Sequence, residues 1–273
     1  MDINRLCAMA RQLRLDVLEM TTLARSGHPS SCFSATEIVT ALYFGGLLRY
    51  RPHDPRWPGR DRFIMSKGHA APLLYAALAH AGYFDRSLLW TLRQIDSPLQ
   101  GHPIQALLPG VEATTGSLGQ GLSVGLGHVL GGRLNGLDYR VFVLLGDGEC
   151  QAGQVWEAAM AAAHFRADRL IAIVDYNKFQ ETGPIAREMA LEPLAAKWES
   201  FGWSVLEMDG HDMAAVMATL TESARPPRPG RPTVVIAHTV KGKGVSFVEA
   251  DYTFHGRALT PEQAARAREE LMR

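Results

Sequence analysis

Val141-Phe-Val-Leu-Leu145-Gly146-Asp147-Gly148-Glu149 and Leu170-Ile-Ala-Ile-Val174-Asp175-Tyr176-Asn177-Lys178-Phe179-Gln180, whose Asn177 comes thirty residues after Asp147, decide the fold. Each opens with a short unbroken apolar run, the pattern of a strand buried on both faces. The Ala-rich stretch from Gln154 to His164 lies between them and predicts a helix, so the three together read as a βαβ unit with a right-handed crossover. In parallel sheets ligands sit beyond the carboxyl ends of the strands. A glycine on each side of Asp147 lets backbone come close to a ligand while the carboxylate points at it. Asp147 and Asn177 then stand at the ends of neighbouring strands on one edge of the sheet. A carboxylate, an amide oxygen and a nearby carbonyl suit Mg²⁺, which prefers hard oxygen donors and completes its octahedron with phosphate and water. A diphosphate cofactor is the expectation.

The same alternation continues outward. Trp203–Met208 and Thr233–His238 predict two more strands with a helix over Met213–Glu222 between them, giving an α/β fold whose mainly parallel sheet is flanked by helices. Upstream, Arg5–Leu23 carries Leu6, Met9, Leu13, Val17 and Met20 at helical intervals, and Ser34-Ala-Thr-Glu37 reads as a capping box opening a second helix to Phe44. Pro261–Met272 predicts a last helix. Nothing repeats with a period of 20 to 50 residues, and the one biased tract, Arg225-Pro-Pro-Arg-Pro-Gly-Arg-Pro232, reads as a loop before a strand. One domain spans 1–273.

Composition narrows the function. The 273 residues hold 28 Lys+Arg and 28 Asp+Glu, so no net charge draws the chain to nucleic acid or anionic membrane. Asp2, Arg5, Arg11, Arg14, Asp16 and Glu19 break every early apolar run, so neither a signal segment nor a membrane span is expected. Cys7, Cys32 and Cys150 are odd in number and far apart, which fits neither a disulfide framework nor a zinc site and favours a cytoplasmic location. Ten histidines include five that directly follow glycine, at 28, 69, 102, 128 and 211, where 26 glycines make about one such pair by chance. Imidazoles mounted on loops fit proton transfer near neutral pH.

The stretch Gly146-Asp-Gly-Glu-Cys-Gln-Ala-Gly-Gln-Val-Trp-Glu157, followed by Ile173-Val-Asp-Tyr-Asn-Lys-Phe-Gln180, resembles the thiamine diphosphate and Mg²⁺ motif of the transketolase family. Ser26-Gly-His-Pro29, Ser66-Lys-Gly-His69, Gly101-His-Pro103, Thr115-Gly-Ser-Leu-Gly-Gln-Gly121, Lys241-Gly-Lys-Gly244 and Phe254-His-Gly256 resemble, in order, the other signatures of that family's N-terminal half. The resemblance implies the thiamine diphosphate-binding fold and a division of roles. Asp147, Asn177 and the Phe179 carbonyl would hold Mg²⁺ or another divalent cation such as Ca²⁺ or Mn²⁺. Gly148 and Glu149 would face the diphosphate and Lys241 would neutralise it, while Gly116, Ser117 and Leu118 would line the cofactor rings. His69 and His255 would stand at the cofactor, and His28, His102 and His255 would reach substrate hydroxyls and the reacting carbonyl. Ketol transfer turns hydroxyls into alkoxides and back, so four imidazoles at 28, 69, 102 and 255 are what it asks of a protein. His53, His80, His128, His164, His211 and His238 are expected to serve structure.

Two departures from the family pattern matter. Ala152 stands where the family commonly has a glutamate that meets an acidic partner across the dimer interface. No counterpart of the second domain follows Gly256, the domain that carries the glutamate activating the aminopyrimidine and most sugar-phosphate-binding cations. The expectation is one subunit of a split transketolase, working in an α2β2 assembly with a separate C-terminal, pyrimidine-binding subunit on ketose and aldehyde substrates, phosphorylated by default. The rival readings are half of a 1-deoxyxylulose-phosphate synthase-like enzyme or of a 2-oxo acid dehydrogenase, and a non-catalytic subunit that keeps the cofactor fold.

Overall fold

The computed structural model describes residues 2–225 and 229–273. Its centre is a parallel five-stranded sheet with the order β1-β2-β3-β5-β4, where β1 is Arg62–Met65, β2 Val141–Gly146, β3 Leu170–Tyr176, β4 Ser204–Asp209 and β5 Thr233–His238. β2, β3 and β5 are apolar throughout because both of their faces are covered, and the period of two sorts their side chains between two cores. Phe142, Leu144, Ile171, Ile173, Val235 and Ala237 face one core. Val141, Val143, Leu145, Leu170, Ala172, Val174, Val234 and Ile236 face the other.

The first core is closed by α1 (Ile3–Ala24), α2 (Pro29–Ser34), α3 (Thr36–Phe44), α4 (Ala71–His80), α9 (Met213–Ser223) and α10 (Pro261–Leu271). The second is closed by α5 (Gln120–Leu134), α6 (Gly153–His164) and α8 (Leu194–Ser200), with the single turn α7 (Ile185–Glu188) beside it. Asp2 caps α1 by accepting from the Asn4 and Arg5 amides, and Thr260 with Gln263 forms a capping box on α10. No helix among the described residues is long and apolar enough to cross a membrane.

The α/β architecture and the βαβ unit stand as expected, and the register sets Gly146 beside Asp175, so Asp147 and Asn177 leave the sheet from adjacent strand ends. Two details differ. The capping box expected at Ser34 does not form: α3 starts at Thr36, and the Ser34 hydroxyl donates to Asp175 Oδ2 at 2.6 Å, a buried carboxylate that needs donors more than the helix end does. β4 starts one residue late because Trp203 turns its indole into the second core and donates to the Ala159 carbonyl. The Pro/Arg tract is outside the described residues at 226–228.

Candidate active site

The loops bearing His69, Asp147, Asn177 and Lys241 leave the carboxyl ends of β1, β2, β3 and β5. A cavity of about 250 Å³ opens at that edge, lined by His28, His69, His102, Lys241 and His255 together with Gly116, Leu118, Gly148, Glu149, Asn177 and Phe179, with the buried Asp147 at its base. His28 immediately precedes α2, and His69 lies in a short 3-10 turn between β1 and α4. His255 ends another such turn near the carboxyl end of the chain. Three loops remote in sequence thus deliver three imidazoles whose ring centroids lie 5.0–5.4 Å apart. His102 lines the same cavity from a more exposed position. None of the other six histidines lines it, and His80, His211 and His238 meet Asp16, Glu37 and Glu207 instead.

The oxygen donors are arranged as a floor. Asp147 is 1% exposed and its oxygens accept only backbone N–H groups, from Gly148 at 2.8 Å and from Lys178. Burial and the neighbouring Asp175 carboxylate push its carboxyl up to about 7. A buried carboxylate raised in this way suits a cation, and Asn177 and Phe179, which line the same cavity, offer an amide oxygen and a carbonyl as further hard donors. No group of three His, Cys, Asp or Glu side chains forms a metal cluster among the described residues. A mixed carboxylate, amide and carbonyl set fits an oxygen-loving divalent cation that keeps phosphate and water as its other ligands.

Behind the floor is a network that sequence reading missed. Asp175 is wholly buried and accepts from Ser34, Thr239 and the Lys67 ammonium; Lys67 also donates to the Ser31 carbonyl at 3.0 Å. Burial alone would raise the Asp175 carboxyl, but the Lys67 ammonium holds it below the usual carboxylate range. Lys241 is 1% exposed, and its ammonium donates to Ser31 Oγ at 3.2 Å and to His255 Nδ1 at 3.0 Å. Burial, then the Lys67 charge, brings its ammonium down to about 8. Glu149 clamps three loops at once, its Oε1 taking Ser66 Oγ and the Gly119 amide at 2.9 Å and its Oε2 the Gly146 amide at 3.0 Å.

The same burial keeps the imidazoles neutral. It lowers His28 to about 4, helped by Arg93, and His255 to about 3, helped by Lys241; His69 lies well below its ordinary value through burial and Lys67. His102 is lowered by burial and then by Arg93. Neutral imidazoles can take protons from hydroxyls, and negative charge brought to the Lys241 end of the cavity would draw their pKa values back toward neutrality. His28 Nδ1 is buried with no partner among the described residues, a free site on an imidazole that lines the cavity. Arg93 is a second residue that sequence reading missed. It holds φ +60°, and its guanidinium packs against Gly101, where a Cβ would come within 2.7 Å of Arg93 Cζ.

The sequence matches the family described as the transketolase, thiamine diphosphate binding domain over residues 4–272. It is 42% identical over 245 residues to the 6-deoxy-6-sulfo-D-fructose transketolase subunit SqwG of Clostridium sp. (strain MSTE9), covering 90% of this chain and 88% of that one. It is 38% identical over 271 residues to an apulose-4-phosphate transketolase subunit of Phocaeicola vulgatus, covering 99% and 95%. Against human transketolase it is 40% identical across 96% of its own length but only 41% of the relative's. The crystal structure of Campylobacter jejuni transketolase superposes with a TM-score of 0.92 at 32% identity, covering all of this chain and 43% of that one. The floor of oxygen donors, the neutral imidazole cluster and these likenesses agree: the chain belongs to the transketolase family, as its thiamine diphosphate-binding domain.

Proposed function

We propose that this protein is the cofactor-binding subunit of a two-subunit transketolase, moving a two-carbon ketol unit from a ketose to an aldehyde together with a separate pyrimidine-binding subunit. The observation that carries this reading is the meeting of His28, His69 and His255 over the Asp147 floor. Near full-length likeness to two chains named transketolase subunits supports the division into subunits. It also weighs against a 1-deoxyxylulose-phosphate synthase-like or 2-oxo acid dehydrogenase half and against a non-catalytic role. An α2β2 assembly, phosphorylated sugars and a cytoplasmic location belong to the same proposal.

Thiamine diphosphate, when bound, supplies the electron sink that ketol transfer needs. Asp147, Asn177 and the Phe179 carbonyl would hold Mg²⁺ or a similar cation against the diphosphate, with the Gly148 backbone, Glu149 and Lys241 around it. Gly116, Ser117 and Leu118 would bound the cofactor rings. His69 would stand at the cofactor, while His28, His102 and His255 would hold substrate oxygens and take or return their protons, a neutral imidazole becoming imidazolium as it takes one and neutral again as it returns it. The test is to co-express the chain with the neighbouring reading frame and screen ketose donors against aldehyde acceptors. Thiamine diphosphate-dependent ketol transfer supports the reading, and CO₂ release from pyruvate by the complex would replace it.

A further inference from the structure

His211 follows Gly210 in a turn between β4 and α9, outside the cavity, yet both of its ring nitrogens are committed. Nε2 accepts the Val240 N–H at 2.8 Å, so Nδ1 carries the proton and donates to Glu37 Oε2 at 3.1 Å. Glu37 is itself held by Arg14, at 2.7 Å from each of two guanidinium nitrogens, and Arg14 also donates to the Phe33 carbonyl at 2.9 Å. The relay therefore starts on α1, crosses α3 and ends on the backbone of residue 240. The next residue is Lys241, whose ammonium touches His255 and Ser31 in the cavity. Gly210 adds a second hold on the same loop. Its N–H donates to the His238 carbonyl at 2.8 Å, and any Cβ there would overlap the side chain of Thr239, the donor to Asp175.

We propose that His211 is a positioning residue for the cofactor end of the site: its neutral imidazole, oriented by the Arg14–Glu37 pair, fixes the Val240 amide and so aims Lys241. This rests on the reading of the cavity as a thiamine diphosphate site. A side chain outside the cavity then sets cofactor affinity through a backbone amide, in the way outer partners orient the groups that touch a ligand.

The experiment titrates thiamine diphosphate at fixed Mg²⁺ into the complex of the chain with its partner subunit, followed by tryptophan fluorescence and, separately, by ketol transfer. His211→Ala should raise the half-saturating cofactor concentration about tenfold while leaving kcat at saturation within about threefold, following the usual cost of losing an outer partner. His211→Gln, whose amide can accept the same N–H, should stay within about threefold of wild type. Lys241→Ala and the double variant His211→Ala/Lys241→Ala should match each other, because the histidine acts through the lysine. Multiplicative losses in the double variant, an unchanged half-saturation in His211→Ala, or a Gln variant as poor as Ala would each overturn the proposal. Should His211→Ala fail to fold, ¹⁵N spectra of the wild-type histidines decide: a protonated Nδ1 and bare Nε2 at His211 support it, and the opposite tautomer refutes it. A wild-type complex that binds no thiamine diphosphate would refute the reading of the site instead, while leaving that tautomer measurement valid.

Discussion

The Lys67–Asp175 pair offers the sharpest test of what holds the site's floor. Both partners are essentially without solvent, Lys67 at 1% and Asp175 at 0% exposure. Asp175 has four side-chain donors, Lys67, Ser34, Thr239 and, at 3.4 Å, Asn177 Nδ2, and Lys67 is the one cation bonded to it among the described residues. Changing Asp175 to Asn takes from the buried ammonium its bonded carboxylate, and changing Lys67 to Met leaves a buried carboxylate with three neutral donors. Breaking a buried pair from one side costs about 3–5 kcal/mol. For a chain of this size that lowers the melting temperature by about 6–20 °C. The double change Lys67→Met/Asp175→Asn removes both charges together, so it should cost less than the two single changes combined by about 2–3 kcal/mol. Urea denaturation of the four proteins, followed by circular dichroism, gives the coupling. Single costs that add to within about 0.5 kcal/mol would refute the claim that these two charges stabilise each other.

Other outcomes follow from the same geometry. The cofactor-free chain should lose stability as pH falls from 7 to 5. His28, His69 and His255 are held below their ordinary value when folded, so the unfolded chain takes up protons first and the stability present above about pH 6.5 drains away below it, by up to about 1.4 kcal/mol per pH unit for each imidazole; the Asp147 carboxyl, raised to about 7, and the raised Glu149 work the other way and offset part of that loss. A urea midpoint that does not fall between pH 7 and 5 would contradict this. Arg93→Gln should raise the pKa of His102, read by NMR, because a neighbouring positive charge is removed; a fall or no change would show that the guanidinium does not act on that ring. Asp147→Ala should abolish the Mg²⁺ dependence of cofactor binding, and a titration identical to wild type would remove it from the metal set. Ala152→Glu should leave turnover of the complex within about twofold; a tenfold gain would mean that the missing carboxylate limits the rate.

Much of the site was legible because it sits where the strongest local signals are. β2, β3 and β5 are apolar runs that leave no alternative period, and Asp147 and Asn177 follow directly from their ends. Other elements were hidden for physical reasons. β1 is only four residues long and follows a Pro-rich loop, so no pattern could build up in it. α5 carries Gly121, Gly125, Gly127, Gly131 and Gly132, which depress helix propensity; at Gly125 a Cβ would come within 2.6 Å of Val143 Cγ2 on β2, so packing required what propensity forbids. The network beneath the floor could not be read at all. Lys67 and Asp175 are 108 residues apart and Ser34 and Asp175 are 141 apart, and nothing local to any of them announces the meeting. Ser34 even carried a competing local signal, the capping box, that the buried carboxylate overrode. His211 matched no family signature and was expected to serve structure, and only its two hydrogen-bond partners reveal that the structure it serves is the loop of Lys241.

The division of one active site between two chains is tested by measuring ketol transfer with the purified chain alone, with its partner alone and with the two mixed, each in the presence of thiamine diphosphate and Mg²⁺. Activity in the mixture only, abolished when the cofactor is left out, is the expected result. Transfer at full rate by the chain alone, or a mixture whose activity needs no thiamine diphosphate, would contradict it.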